Sequence, residues 1–130
     1  MFLILAACNH SKLDEKKTYF ENGNLKEKYF VDQNKNVQGF SYLYHPNGKI
    51  KTKAKFKDNL QIDTTFGYLD NGNIDAIAIY DLKGQKMKEI AFFPNGKIHI
   101  IRSYFVDGDG QINASKTFFE NGKVNERESN

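Results

Sequence analysis

Five Asn-Gly pairs, Asn22-Gly23, Asn47-Gly48, Asn71-Gly72, Asn95-Gly96 and Asn121-Gly122, recur along the chain at steps of 25, 24, 24 and 26 residues. A fixed period of this length marks a repeat architecture in which each unit is one supersecondary module. Every pair has the same surroundings, an aromatic residue three before the Asn and an aliphatic one two after the Gly, as in YHPNGKI from Tyr44 to Ile50. Runs rich in Tyr, Phe and Ile lie between the pairs, and turn-forming clusters come about every 12 residues, the pattern of short antiparallel strands. No window keeps an uninterrupted apolar stripe at helical spacing.

The turn type follows from two prolines. Pro46 and Pro94 stand just before their Asn-Gly pairs, where a two-residue type I′ hairpin would ask for a backbone N–H that proline lacks. A type I turn with proline second, Asn third and Gly in the left-handed bulge position fits instead. Glu21, Asp70 and Glu120 fill the proline slot in the other copies. That turn sets Tyr19 opposite Leu25, Tyr44 opposite Ile50, Tyr68 opposite Ile74, Phe92 opposite Ile98 and Phe118 opposite Val124. All five are aromatic against aliphatic, a favourable cross-strand pairing. The predicted fold is all-β: an antiparallel meander of about ten strands made of five hairpin repeats of about 24 residues, a single-layer sheet, open or curled. At the other strand ends, Asp32, Asp58, Asp81 and Asp107 open a second set of turns, since Asp can bond the backbone two residues on.

Carried through the hairpins with one alternation, this register gives two faces. One collects Tyr42, Tyr44, Ile50, Phe56, Phe66, Tyr68, Ile74, Tyr80, Ile90, Phe92, Ile98, Ile100 and Tyr104 and is the expected core. The other brings a solvated stripe of Lys49, Lys51, Lys53, Lys55 and Lys57, and farther on an apolar patch of Ile77, Ile79, Phe93, Ile101, Phe105 and Phe119. Two-sided apolarity means either that the sheet curls and buries both faces, which the twist of a large sheet favours, or that the patch awaits a partner. The lysine stripe reads first as a charged face that discourages aggregation and second as a surface for anionic lipid or glycan.

The chain opens MFLILAAC, with Leu5-Ala6-Ala7-Cys8 resembling the lipobox of bacterial lipoprotein signal peptides. On that resemblance residues 1–7 are a signal-peptide remnant, Cys8 carries the lipid, residues 8–17 are a polar tether and residues 18–130 form the repeat domain. The expected location is the bacterial cell envelope, lipid-anchored, or the cytoplasm if Met1 is the native start and Cys8 stays unprocessed. With Cys8 the single cysteine, no intrachain disulfide forms. The formal charge of +3 comes from 19 basic and 16 acidic residues, seventeen of the former being lysine, a weaker signal than the clustered footprint of a nucleic-acid binder.

Catalytic and metal-binding patterns are missing. His10, His45 and His99 have no second ligand at metal spacing. A calcium loop starting at Asp107 would need Gly at Ile112 and Glu at Phe118, so Asp107 to Gly110 reads as a turn. No nucleophile elbow or Gly-rich phosphate loop is present. The aromatic rings are claimed by the core face, which argues against stacking on nucleic acid.

The motifs YFENGNL, YHPNGKI, YLDNGNI, FFPNGKI and FFENGKV, spread from Tyr19 to Val124, resemble the bacterial variant of the MORN repeat. That resemblance implies an elongated β-meander without catalytic residues, cofactor or small-molecule substrate; many such proteins are named as antitoxins of the YwqK family, and others look like envelope proteins. The expectation is a non-enzymatic envelope lipoprotein that binds another protein through the apolar patch. The alternatives are an antitoxin or immunity protein that neutralises one toxin, and a structural or adhesive module that touches anionic lipid or glycan through the five lysines.

Overall fold

The structure, a computed structural model, describes residues 12–105 and 112–125. Ten strands follow one another: β1 (Asp14–Tyr19), β2 (Leu25–Val31), β3 (Gly39–Tyr44), β4 (Ile50–Lys57), β5 (Leu60–Tyr68), β6 (Ile74–Tyr80), β7 (Lys86–Phe92), β8 (Ile98–Phe105), β9 (Ile112–Phe118) and β10 (Val124–Asn125). They form one sheet in sequence order, each antiparallel to the next, with β1 and β10 at opposite edges. The sheet is therefore open, a meander of hairpins. Its first strand starts at Asp14, inside the stretch expected to be a tether, because β1 is an edge strand of exposed polar residues with no apolar alternation to announce it. Cys8, residues 1–7 and the Asp107 to Gly110 turn lie outside the described residues.

The five Asn-Gly turns have the conformation that the prolines demand. In the second, the Gly48 N–H donates to the His45 carbonyl at 2.9 Å and the His45 N–H to the Lys49 carbonyl at 2.8 Å. The five glycines have φ between 82 and 90°, the left-handed region that an L side chain adopts at a cost. Asn has a further use, since its Oδ1 accepts from the backbone N–H two residues on in every copy, as from Lys49 to Asn47 at 3.0 Å. All five predicted aromatic–aliphatic pairs are register partners.

Two of the alternate turns repeat this geometry with Asp leading. The Asp81 carboxylate accepts from the N–H groups of Lys83 and Gln85, and that of Asp32 from Asn34 and Asn36. Gly84 takes the left-handed position in the first, whereas Lys35, at φ 67°, takes it in the second. Asp58 differs. With Asn59 it forms a two-residue turn between Lys57 and Leu60, both at positive φ, as in a type I′ hairpin.

The face assignment changes at the bulges. Each of the first four Asn-Gly hairpins has an extra residue after its aliphatic partner, so Tyr44 faces Ile50 while Leu43 already faces Thr52. One inserted residue sends every later side chain of that strand to the other side. A row of directly opposed residues then crosses nine strands: Lys17, Lys28, Tyr42, Lys53, Phe66, Ile77, Ile90, Ile101 and Lys116. Opposed residues in an antiparallel ladder share a face. Ile77, Ile79 and Ile101 therefore stand with Tyr42, Phe66 and Tyr68 and form no second face, and Lys53 and Lys55 stand there too.

The opposite face carries small residues. Its matching row is Thr18, Glu27, Leu43, Thr52, Gly67, Ala76, Ala91, Ile100, Thr117 and Asn125. Phe56, Tyr80, Ile100 and Tyr104, expected on the core face, belong to this side by the same register. Neither face is covered by a second layer among the described residues, where only Val31, Ala54 and Ile62 are buried hydrophobics. The bulges thus change which side chains share a face, while Phe56, Tyr80, Ile100 and Tyr104 keep the small-residue side partly apolar.

Candidate functional site

The face bearing Tyr42 and Phe66 is lysine-rich. By register it holds Lys17, Lys28, Lys53, Lys55, Lys57, Lys88 and Lys116, of which Lys17 forms an ion pair with Glu15 and Lys55 one with Asp63, at the irregularity of β5, at 3.3 Å. The small-residue face holds Lys16, Lys86 and Arg102 against Asp14, Glu27 and Glu89. A chain with a net charge of only +3 thus concentrates its positive charge on one side of a single layer.

Ring contacts agree with this assignment. The Lys28 ammonium lies 5.0 Å from the Tyr42 ring centroid, Lys53 4.7 Å and Lys55 5.9 Å from that of Phe40, and Lys116 5.6 Å from that of Phe118. A lysine over a ring face is held by the ring quadrupole without giving up its hydration, worth about 0.5–1 kcal/mol at exposed sites. Phe40, Tyr42 and Tyr44 make a continuous strip, with centroids 6.3 and 6.4 Å apart, and Phe66 and Tyr68 make another at 6.5 Å. Between the second and third Asn-Gly turns, Gly48, Lys49, Ile50, Tyr68 and Gly72 line a shallow, mostly apolar cleft of about 410 Å³, within the size range of small binding pockets.

The turns beside the cleft are tied module to module. Asn22 and Asn24 donate through Nδ2 to the Pro46 carbonyl at 2.9 and 2.7 Å, Asn47 to that of Asp70 at 2.8 Å and Asn73 to that of Pro94 at 3.4 Å. His45 Nε2 lies 2.8 Å from the Tyr68 carbonyl. The alternate turns have a network of their own, in which Gln38 Nε2 donates to both Asp32 and Asp58, and Asn59 bonds Asn36 and Val37. The Gln38 amide, with the Asn36 and Asn34 N–H groups, holds the Asp32 carboxyl below its usual range.

Of the six residues expected to form an apolar patch, Ile77, Ile79 and Ile101 line the lysine-rich face. Phe93 and Phe119 are first residues of Asn-Gly turns; the Phe93 ring lies 4.4 Å from that of His99 and Phe119 is exposed. Phe105 ends β8. The five-lysine stripe divides likewise: Lys49 sits in the turn with Nζ 3.3 Å from the Asn71 carbonyl, Lys51 is the bulge residue, and Lys53, Lys55 and Lys57 face the aromatic side. Lys17, Lys28, Phe40, Lys88 and Lys116 were missed. Only Lys28 needs the alternation flipped, at the bulge of Lys26; the other four share plain alternation with Tyr19, Tyr42, Phe92 and Phe118 on their own strands.

On the opposite face, Glu89 gathers Tyr104, whose hydroxyl donates at 3.0 Å, and the cations of Lys86 and Arg102 at 3.7 and 3.8 Å. Burial and the Glu89 carboxylate push the Tyr104 phenol up. Among the described residues no three His, Cys, Asp or Glu side chains converge as for a metal ion.

Residues 15–33 and 41–58 match the family described as MORN repeat variant, and each match covers one hairpin, β1–β2 and β3–β4. This chain carries MORN repeat variants. The third and fourth modules keep the same turn and bulged register as the two matched MORN hairpins, and the fifth keeps the turn and the aromatic–aliphatic pair. No curated protein matches the chain. Among solved structures it is similar to a mutant of S. aureus TarM in complex with Fondaparinux, alpha-GlcNAc-glycerol and UDP, with 16% identity and a TM-score of 0.44 over 85% of this chain and 20% of that one. The chain thus spans about a fifth of the length of that protein.

Proposed function

We propose that this MORN-repeat chain is a non-enzymatic scaffold that binds another protein across its lysine-rich face. The observation that carries the reading is a wide single-layer sheet with rings and isoleucines on one side and no second layer over them among the described residues. Repeat sheets of this kind present long, regular surfaces suited to binding, and apolar side chains gathered on an uncovered face mark interaction sites. Attachment to the bacterial envelope through a lipid on Cys8 belongs to the same proposal and rests on the MFLILAAC segment.

The test compares three versions of the full chain as baits in extracts of the producing cells: wild type, Tyr42→Ser with Ile77→Ser on the lysine-rich face, and Arg102→Gln on the other. The expected result is one stoichiometric protein held by wild type and Arg102→Gln and lost by the double variant, with all three keeping the same strand circular dichroism. Equal retention by the double variant would refute the reading.

A further inference from the structure

The lysine-rich face has a period as well as a charge. Tyr44, Tyr68 and Phe92 stand at the same position in successive modules, each on the strand that enters an Asn-Gly turn. One module is two strands, so successive rings are about 9.4–9.8 Å apart across the sheet. Lys28 and Lys53 are also one module apart, each directly opposed to Tyr42.

Chain conformations differ in how they meet this spacing. A β-strand covers the distance in about three residues, but its side chains alternate with period two, so every third one points away. An α-helix advances about 5.4 Å per turn against about 4.8 Å per strand and falls out of step within two modules. Polyproline II has three residues per turn at about 3.1 Å each, a repeat of about 9.3 Å, so every third side chain returns to the same direction one module later. Both length and direction agree.

Twist limits how far the match extends. Adjacent strands rotate by about 20–25°, hence about 40–50° per module, and a straight segment stays in contact with about three successive rings, or about seven residues. Charge fixes the remaining chemistry, because seven lysines, only two of them paired with an acid (Lys17 with Glu15 and Lys55 with Asp63), favour carboxylates over cations. Lys17, Lys28 and Lys53 of the central row lie in β1–β4 and Lys116 in β9, whereas Ile77, Ile90 and Ile101 lie between them in β6–β8. An occupant lying from β3 to β8 is therefore acidic toward Lys28 and Lys53.

We infer that this face docks an extended, proline-rich acidic segment of a partner protein in polyproline II conformation, lying across β3 to β8 over Tyr44, Tyr68 and Phe92 with its carboxylates toward Lys28 and Lys53. The cleft between Gly48, Lys49, Ile50 and Tyr68 takes one of its side chains. The inference rests on the protein-binding reading and names the chemistry of the partner.

The probe is a labelled twelve-residue peptide, (Pro-Pro-Glu)4, whose period-three sequence sets all four Glu along one edge, titrated against the full chain by fluorescence anisotropy. It should bind at least tenfold more tightly than (Gly-Gly-Glu)4, which has the same charge without the preformed conformation, and more tightly than (Pro-Pro-Lys)4. Binding should weaken with added salt and fall at least fivefold in Lys28→Gln with Lys53→Gln, half-buried positions away from the turns, with circular dichroism checking that the sheet is kept. Tyr68→Ala, checked by circular dichroism, should lose binding as well.

Equal binding of the Gly and Pro peptides would overturn the conformational claim. Tighter binding of a twelve-nucleotide oligothymidylate, or of phosphatidylglycerol vesicles, would overturn the protein partner in favour of nucleic acid or lipid. If neither acidic peptide binds while wild type still captures a protein that Tyr42→Ser with Ile77→Ser loses, this inference fails and the scaffold reading stands. If that capture fails too, both fall.

Discussion

Replacing Gly72 by alanine isolates backbone conformation from packing. Gly72 has φ +90°, and a Cβ built on it would meet no atom within 4 Å, so the substitution brings strain without a clash. Holding an L residue in the left-handed region costs about 1–2 kcal/mol, and alanine returns about 0.5–1 kcal/mol by restricting the unfolded chain. The net expectation is destabilisation by about 1 kcal/mol. Gly67 is the control, since its φ is ordinary and its Cβ would sit in van der Waals contact with the Ala76 backbone oxygen at 3.7 Å. Only the unfolded-state gain remains there, so Gly67→Ala should stabilise by about 0.5 kcal/mol. Lys35→Gly should also stabilise, by about 0.5–1 kcal/mol, because it relieves a left-handed lysine that is exposed and loses little packing. Urea titration followed by circular dichroism and tyrosine fluorescence reads all three; with a slope of about 1–3 kcal/mol per M, Gly72→Ala should lower the midpoint by about 0.5 M. If Gly67→Ala and Gly72→Ala move the midpoint equally in the same direction, φ does not govern these turns and the reasoning fails.

The remaining predictions concern side chains. Asn47→Ala removes the bonds to the Lys49 N–H and the Asp70 carbonyl and should cost about 1 kcal/mol, both bonds being exposed; no change in urea midpoint would show the link between modules to be idle. A double-mutant cycle of Lys53→Gln and Phe40→Leu should give a coupling of about 0.5 kcal/mol, and zero coupling would contradict their shared face. The depressed Asp32 carboxyl contributes stability that is present above the ordinary carboxylate range and is lost as pH falls through its lower folded value. Asp32→Asn should therefore flatten the fall in urea midpoint between about pH 5 and 2, and an unchanged acid limb would show that the Gln38 contact is not the cause.

The hairpins were legible because their determinants are local. Pro46 and Pro94 exclude one turn, the glycines supply positive φ, and five aromatic–aliphatic pairs check the register. The faces were misread because side-chain alternation is counted along the strand, and a single extra residue such as Lys51 reverses everything after it. The Asn22–Pro46 and Asn47–Asp70 bonds were out of reach for another reason. They depend on how neighbouring turns stack, which no residue reports by itself. The corrected faces are unequal: each strand packs only against its sequence neighbours, so neither face is needed to bury a second layer. At the centre of the small-residue side Gly67, Ala76 and Ala91 leave little apolar surface to cover, the larger Phe56, Tyr80, Ile100 and Tyr104 lying around them. Across the sheet from them, Phe66, Ile77 and Ile90 expose apolar surface that the ladder does not require, beside lysines already poised over rings. A partner that covered those side chains would gain their burial without displacing any element of the fold, which is the physical support for the site proposed on the lysine-rich side.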